Sequence, residues 1–131
     1  MNKNFLEVDN VTFQVGGTSK VNNVSFSIEN EGDVICLLGP SGIGKTTILR
    51  TIAGLEKIKS GMIKLKGNVM SSSKINIEPE DRNISLSFQE NSLFPHYTVE
   101  KNIHLGTERR NKSVKKKINP KKIVKLLNIG K

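Results

Sequence analysis

The stretch that decides the fold is GPSGIGKTT, which consists of Gly39, Pro40, Ser41, Gly42, Ile43, Gly44, Lys45, Thr46 and Thr47. It fits the spacing G-x-x-x-x-G-K-[ST]. The apolar run VICLLG, at residues 34–39, comes directly before it, and residues 46–53 place apolar side chains at helical spacing after it. The sequence therefore predicts a strand, a glycine-rich turn and a helix in that order.

This order of elements predicts a site for phosphate groups. Glycines let the backbone approach phosphate oxygens closely, and the amides of residues 42–47 can point at them from the start of the helix. Lys45 can neutralise the β and γ phosphates, and Thr46 can offer its hydroxyl to Mg²⁺. The alternative is a glycine-rich turn between a strand and a helix that carries an incidental lysine.

Further strands are predicted outward from this stretch, because apolar side chains recur at every second position with Val, Phe and Thr prominent. They lie at residues 5–15, 21–28, 61–67 and 83–88. Residues 34–39 form a continuous apolar run, which is typical of a central strand buried on both faces. The polar residues 71–82 are expected to form a surface excursion.

Two more helices are predicted near the carboxyl end. Thr98 can cap a helix that fades near Gly106, and Asn119 can cap a helix whose first position is Pro120. The second helix carries an apolar face at residues 123–127, which is expected to pack on chain that is absent here.

The formal charge of +9 belongs to the last part of the chain. Residues 1–90 hold equal numbers of basic and acidic side chains, so the excess lies within residues 91–131. Its densest part, residues 109–117 (RRNKSVKKK), contains no aromatic side chain on which a base could stack. A solvated linker is therefore favoured over a basic nucleic-acid-binding segment, and no nucleic acid is expected as a partner.

Composition indicates one domain without a leader. The first residues alternate apolar and polar side chains, so the sequence predicts neither a secretory signal nor a membrane span, and a cytoplasmic location is expected. The single cysteine, Cys36, lies in the apolar run and is predicted to be buried as a space-filling side chain.

A second motif selects among the many families that share the phosphate-loop spacing. Residues 83–103, NISLSFQENSLFPHYTVEKNI, resemble the Q-loop region of ABC transporter nucleotide-binding subunits, whose usual form is F-Q-x-x-x-L-F-P-H-x-T-V-x-x-N-I. The similarity runs from about Phe5 to Gly106. It is closest to the importer branch that serves maltose, polyamine or iron(III) uptake.

The resemblance implies an α/β fold of the P-loop NTPase class, with ATP and Mg²⁺ as ligands. It implies the amino-terminal part of an ABC-type nucleotide-binding domain with antiparallel strands, truncated in the helical subdomain. Residues 1–106 would form the ATP-binding core, and residues 107–131 a basic linker and the start of the helical subdomain. Gln89 would contact Mg²⁺ and the attacking water. Val15 stands where the family places an aromatic residue against the base, so base contact here would be weak.

The family's partners and location are implied in the same way. Transmembrane permease subunits would contact the Q-loop region, the complete protein would form a homodimer, and it would lie peripherally on the inner face of the membrane. Phe94 and Tyr97 are expected at that subunit interface, and His96 is expected to be structural rather than catalytic.

Three motifs of the family are absent from these 131 residues: the L-S-G-G-Q signature, the apolar strand that ends in Asp-Glu, and the later histidine switch. Hydrolysis needs a group that positions water and a second anchor for Mg²⁺. Two hypotheses follow: the ATPase subunit of an importer, of which this is the nucleotide-binding part, or a truncated fragment that binds nucleotide and turns over little or none.

Overall fold

The computed structural model describes residues 4–17, 19–88, 93–108 and 119–126. The chain divides into two compact units, Met1–Leu86 and Ser87–Lys131. The first unit contains a four-stranded sheet and the helix that follows the glycine-rich loop, and the second contains two short helices.

The two strands predicted at the start of the chain are confirmed. Strand β1 spans Leu6–Val15 and strand β2 spans Ser19–Ile28, and they pair antiparallel across a turn that contains Gly16 and Gly17. The pairing register shifts twice in β1, between Val8 and Val11 and again before Phe13. These irregularities let consecutive residues 11–13 all be buried, which strict alternation would not allow.

Strand β3, Ser60–Leu65, pairs with the other edge of β1, and strand β4, Asn68–Ser71, pairs with β3. The sheet order is β2-β1-β3-β4, and each neighbouring pair is antiparallel. β1 is therefore a central strand, and Leu6, Val8, Val11 and Phe13 from it join Ile63 of β3 in the core.

Helix α1, Lys45–Ile52, covers this sheet with Ile48 and Ile52, which are both buried in the same core. Gly54 ends the helix with φ +88°, as the sequence predicted. Its amide donates to Thr51 O and the next amide, of Leu55, donates to Arg50 O. This pair of bonds is a Schellman motif, which satisfies two of the carbonyls that the helix would otherwise leave open.

The predicted central strand is wrong in this structure. Residues 33–40 form no strand, Val34 and Leu38 are 95% and 87% exposed, and Cys36 is exposed rather than buried. Residues 83–88, also predicted as a strand, likewise form no strand. The physical reason is that a strand is completed by hydrogen bonds to a neighbouring strand, and no described strand lies beside either segment.

The polar residues 71–82 were also predicted incorrectly in part. Ser71 ends β4 and forms an isolated bridge with Asn76, and a short 3₁₀ helix spans Pro79–Asp81. Ser71 is fully buried and Arg82 is 1% exposed. Residues 73–75, 78, 80 and 81 are exposed, so the surface prediction fails at the two ends of the segment and holds for much of the rest.

The second unit confirms both predicted helix starts. Helix α2 spans Val99–Glu108, and the Thr98 hydroxyl accepts a hydrogen bond from the Lys101 amide. Helix α3 spans Pro120–Leu126, and the Asn119 side chain accepts from the Lys121 amide. Of the apolar face predicted on α3, Ile123 and Leu126 are exposed and Val124 is half-buried, while Leu127 lies outside the described residues.

Candidate functional site

The glycine-rich loop is curved and open to solvent. Gly39, Gly42 and Gly44 have φ angles of +155°, +80° and +110°, and the Ile43 amide donates to Pro40 O within the turn. Residues 39–43 are exposed. The loop therefore presents its backbone to solvent, as a phosphate site requires.

Gly44 is the point at which the loop rests on the sheet. It is buried, and a Cβ added there would lie 3.2 Å from Phe13 and Val21 and 3.3 Å from Val15. Its left-handed conformation is also strained for any residue with a side chain. A glycine is needed at this position for both reasons, and strands β1 and β2 thereby fix where the loop begins its helix.

Lys45 extends back across the loop. Its Nζ donates to Gly39 O and Pro40 O, both at 2.6 Å. An ammonium group has three hydrogens, so these two bonds orient the charge at the mouth of the loop and leave one donor for a ligand. The side chain is half-buried, which limits the screening of its charge by water.

The start of α1 carries no side-chain cap. Gly44 stands at the N-cap position without a side-chain hydrogen bond, and the first turn holds no acidic residue. The amides of this turn have no acceptor within the helix, and the helix dipole adds positive potential at the same end. Farther along, the Thr51 hydroxyl donates to Thr47 O at 2.7 Å.

The other predicted site residues are placed unequally. Thr46 is exposed at the start of α1, so its hydroxyl is free to reach a ligand of the loop. Val15 ends β1, half-buried, beside Gly44. Gln89 lies outside the described residues. The structure thus brings Val15 and residues 39–47 together, and the role of each remains a prediction.

The donor set suits a nucleotide better than a metal bound by protein alone. In the described part of the chain, no group of three or more His, Cys, Asp or Glu side chains could hold a metal ion. The loop instead offers an ammonium and uncapped amides, which are hydrogen-bond donors that suit phosphate. It also offers the oxygen of the Thr46 hydroxyl, which suits the Mg²⁺ that accompanies phosphate.

The second unit contains a corner at residues 93–102 that is organised by Asn102. Its Oδ1 accepts from the Phe94 amide at 2.8 Å, and its Nδ2 lies within bonding distance of three carbonyls, at 3.1–3.2 Å. Those carbonyls belong to Phe94, Tyr97 and Thr98. One amide side chain therefore holds the turn that leads into α2.

Aromatic rings pack together on this corner. The His96 ring lies 4.3 Å from that of Tyr97 and 5.8 Å from that of Phe94, and the Lys101 ammonium lies 4.2 Å from the centre of the Tyr97 ring. Leu93 and Val99 are 71% and 75% exposed beside them. His96 is exposed and contacts both other rings, and its structural role stays a prediction.

Sequence reasoning missed Arg82. It is the largest fully buried side chain of the described residues, and it bonds to the carboxyl end of α1. In the sequence it is an arginine that follows two acidic residues in an otherwise polar stretch, which is typical of a surface.

Comparison with known proteins decides the family. A family model described as ABC transporter matches residues 21–131. The chain belongs to the ABC transporter family. This confirms the resemblance carried by residues 83–103.

Several ABC importer subunits are similar to this chain. The spermidine/putrescine import ATP-binding protein PotA of Nitrosospira multiformis is 44% identical over 117 residues, which are 87% of this chain and 31% of that protein. The Fe(3+) ions import ATP-binding protein FbpC of Escherichia coli K12 is 41% identical over 104 residues, 79% of this chain and 28% of that protein. The chain thus spans about a third of the length of these relatives.

Solved ABC structures agree on the fold. An ATP-binding cassette of an ABC transporter superposes with a TM-score of 0.71 at 24% identity, covering 97% of this chain and 55% of that one. A bacterial Atm1-family ABC exporter with ATP bound gives a TM-score of 0.66 over 87% of this chain and 19% of that one, also at 24% identity. The predicted α/β, ABC-type fold is confirmed. Among the described residues, no helix combines the length and apolar character needed to cross a membrane.

Proposed function

We propose that this chain binds ATP through residues 39–47, as the nucleotide-binding part of an ATP-binding subunit of an ABC importer. The observation that carries the proposal is the position of Lys45. Its ammonium is held over the loop by two carbonyls, directly beside the uncapped start of α1. Two sources of positive potential therefore converge on one exposed loop.

Each residue of the loop has a role in this proposal. The amides of residues 42–47 cradle the phosphate chain, Lys45 neutralises the β and γ phosphates, and Gly39 with Pro40 keeps Lys45 in place. Thr46, together with Gln89, would hold Mg²⁺, which supplies neutralisation of phosphate charge. Val15 contacts the base only weakly, because an aliphatic side chain cannot stack as an aromatic ring does.

Titration with Mg-ATP tests the loop directly. Lys45→Ala removes a charge-assisted bond to phosphate, which is worth about 1.5–3 kcal/mol, so the dissociation constant should rise roughly 10- to 100-fold. Lys57→Ala is the matched control, because Lys57 is an exposed lysine shortly after the same helix. Equal affinities of wild type and Lys45→Ala for Mg-ATP would contradict the assignment of residues 39–47 as the ATP site.

We also propose the partners and organisation that the family implies. Residues 1–106 form the ATP-binding core and residues 107–131 a basic linker into the helical subdomain. The complete protein acts as a homodimer on the inner face of the membrane and turns over ATP to drive import. The relatives' names include polyamines, iron(III) and sn-glycerol-3-phosphate, so the cargo is left unassigned.

The corner at residues 93–102 is the proposed contact for a transmembrane permease. Its exposed Leu93, Phe94 and Val99 offer apolar surface, and Asn102 holds the backbone that carries it. Asn102→Ala should reduce co-sedimentation of the complete protein with permease-containing vesicles without changing ATP affinity. Asn119→Ala, which removes an exposed asparagine from the start of α3, should change neither measurement. Undiminished co-sedimentation of Asn102→Ala would contradict this contact.

A second candidate is a chain that binds nucleotide without turnover. It is favoured by the sequence, because residues 1–131 contain neither an L-S-G-G-Q motif nor an apolar strand ending in Asp-Glu. Phosphate release from Mg-ATP by the purified chain distinguishes the two. Multiple turnovers that Lys45→Ala abolishes would eliminate this candidate, whereas binding without release would support it.

A further inference from the structure

The one arginine buried in the first unit makes a complete set of hydrogen bonds. Arg82 Nε donates to Ile77 O at 2.8 Å, one terminal nitrogen donates to Thr51 O and Ile52 O at 3.1 and 2.9 Å, and the other donates to Ser71 Oγ and Asn76 Oδ1 at 2.8 and 2.9 Å. A guanidinium has five N–H donors, and these bonds use all five. Such a side chain is fixed in position and direction.

The acceptors of Arg82 belong to two parts of the fold. Thr51 O and Ile52 O are carbonyls at the end of α1, whereas Ser71 ends β4 and residues 76–77 follow it. Burial lowers the pKa of Arg82, and the nearby charge of Glu78 opposes that change. None of the five acceptors is a carboxylate, and two of them are carbonyls at the negative end of the helix dipole.

The end of α1 is shaped to receive this guanidinium. A Cβ on Gly54 would lie 2.5 Å from Arg82 Nε, so only glycine leaves room for it. The Schellman bonds of Gly54 and Leu55 occupy Thr51 O and Arg50 O, and Arg82 bonds Ile52 O and shares Thr51 O. Arg82 therefore completes the capping of α1 at its carboxyl end.

We propose that Arg82 is a positioning residue for the phosphate loop, acting through α1; this rests on the proposed binding of ATP by residues 39–47. Ile48 and Ile52 hold one face of the helix against the sheet, across the direction of the helix axis. The carbonyls at a helix end point along that axis, so bonds to them fix its axial position. With eight residues, α1 is about 12 Å long, and a shift at its end is carried to Lys45 at its start.

The loop requires such a fixed helix because phosphate recognition depends on the positions of donors to within about half an ångström. Lys45 and the first-turn amides belong to α1, whereas Gly39 O, which orients Lys45, belongs to the preceding segment. An axial shift of α1 would change the spacing between these two groups. Arg82 thus contributes to nucleotide affinity without touching the nucleotide.

Variants of Arg82 test the proposal through Mg-ATP titrations at a temperature well below each variant's own unfolding midpoint. Arg82→Met should raise the dissociation constant about fivefold or more, the lower end of the usual coupling between two sites. Arg82→Lys should recover part of the affinity, because it keeps the charge at the helix end but loses the fork of donors. Arg50→Met is the matched control, because Arg50 lies on α1 and pairs on the surface with Glu56, and its affinity should stay within about twofold.

A purely structural role gives a different result. If Arg82 only stabilises the fold, Arg82→Met lowers the unfolding midpoint but leaves the affinity of the folded protein for Mg-ATP unchanged. That outcome overturns the proposal. If Lys45→Ala binds Mg-ATP roughly 10- to 100-fold more weakly than wild type, the proposed function stands whatever the Arg82 variants show. If wild type does not bind, both proposals fail.

A measurement on the wild type covers the case in which the Arg82 variants do not fold. Coupling between two sites is reciprocal, so nucleotide in the loop must stabilise the bonds of Arg82. Hydrogen exchange of the Arg82 Nε–H, followed by NMR, should slow about fivefold or more when Mg-ATP saturates the chain. An unchanged exchange rate at saturation would refute the positioning role.

Discussion

The sheet and the segment that leads into the phosphate loop are both rich in apolar residues. Those of the sheet are largely buried, whereas those of the segment are largely exposed. In the sheet, Ile63 and Val11 are fully buried and Phe13 is 2% exposed. In residues 33–38, Val34 is 95% exposed and Leu38 87%. Strand β1 has a hydrogen-bonded neighbour on each side, whereas residues 33–38 have no strand beside them in the described part of the chain.

This difference shows what an apolar pattern can and cannot predict. The pattern indicates that burying a segment lowers the free energy of the chain. It does not report whether a partner is present to bury it, and a strand also needs a neighbour for its backbone hydrogen bonds. The antiparallel strands find that neighbour within about sixty residues, and residues 33–38 do not.

The largest expected effect is on the free energy of unfolding, and matched truncations in the two regions should differ in it. Ile63→Ala leaves a cavity in the core and should lower the free energy of unfolding by about 2–5 kcal/mol. Leu38→Ala removes the same number of carbons from an exposed position and should change it by less than about 0.5 kcal/mol. Urea unfolding followed by circular dichroism measures both. A loss of similar size in Leu38→Ala would show that residues 33–38 are buried in solution.

The next effect concerns Gly44, where the sheet supports the loop. Gly44→Ala adds a strained left-handed φ, costing about 1–2 kcal/mol, and forces Phe13 and Val21 away. Gly42→Ala is the control, because Gly42 also has a positive φ, of +80°, and a Cβ added there would meet open space. Gly44→Ala should be the more destabilising of the two in the same unfolding experiment. Equal losses would mean that the sheet does not support the loop at this residue.

A smaller effect tests the sheet alone. Lys64 Nζ lies 3.0 Å from Glu7 Oε2, at paired positions of β3 and β1, and both side chains are about two-thirds buried. Lys64→Met should lower stability by about 0.2–1 kcal/mol, and less at high salt. Glu31→Gln breaks the more exposed pair of Lys66 with Glu31, leaves the contact of Lys66 with the Phe5 ring in place, and should cost less. The reverse order would mean that exposure does not set the strength of these pairs.

The smallest expected effect concerns the Cys36 thiol, which should react almost as fast in the folded chain as in the denatured chain. As the single cysteine, it can be labelled without ambiguity, and it is exposed in residues 33–38. Its rate of reaction with a small aromatic disulfide reagent in the folded chain should lie within about tenfold of the rate in denaturant. A folded chain that reacts hundreds of times more slowly would show that this segment is covered.

Much of the site could be predicted from short stretches of sequence, because local backbone chemistry determines it. The loop, the start of α1, Gly54 at its end and the caps Thr98 and Asn119 each depend on residues within one or two turns. For Val15, the sequence could predict only that the residue lies in β1. Its closeness to Gly44 depends on how the sheet meets the loop.

The sequence by itself determined the glycine-rich loop with its lysine, the order of the first strands and α1, and membership of the ABC transporter family. Only the tertiary structure decided that Arg82 is buried and that residues 33–38 are exposed. The reason is the same in both cases. Burial depends on partners distant in sequence: Arg82 finds carbonyls about thirty residues away, and residues 33–38 find no neighbouring strand among the described residues.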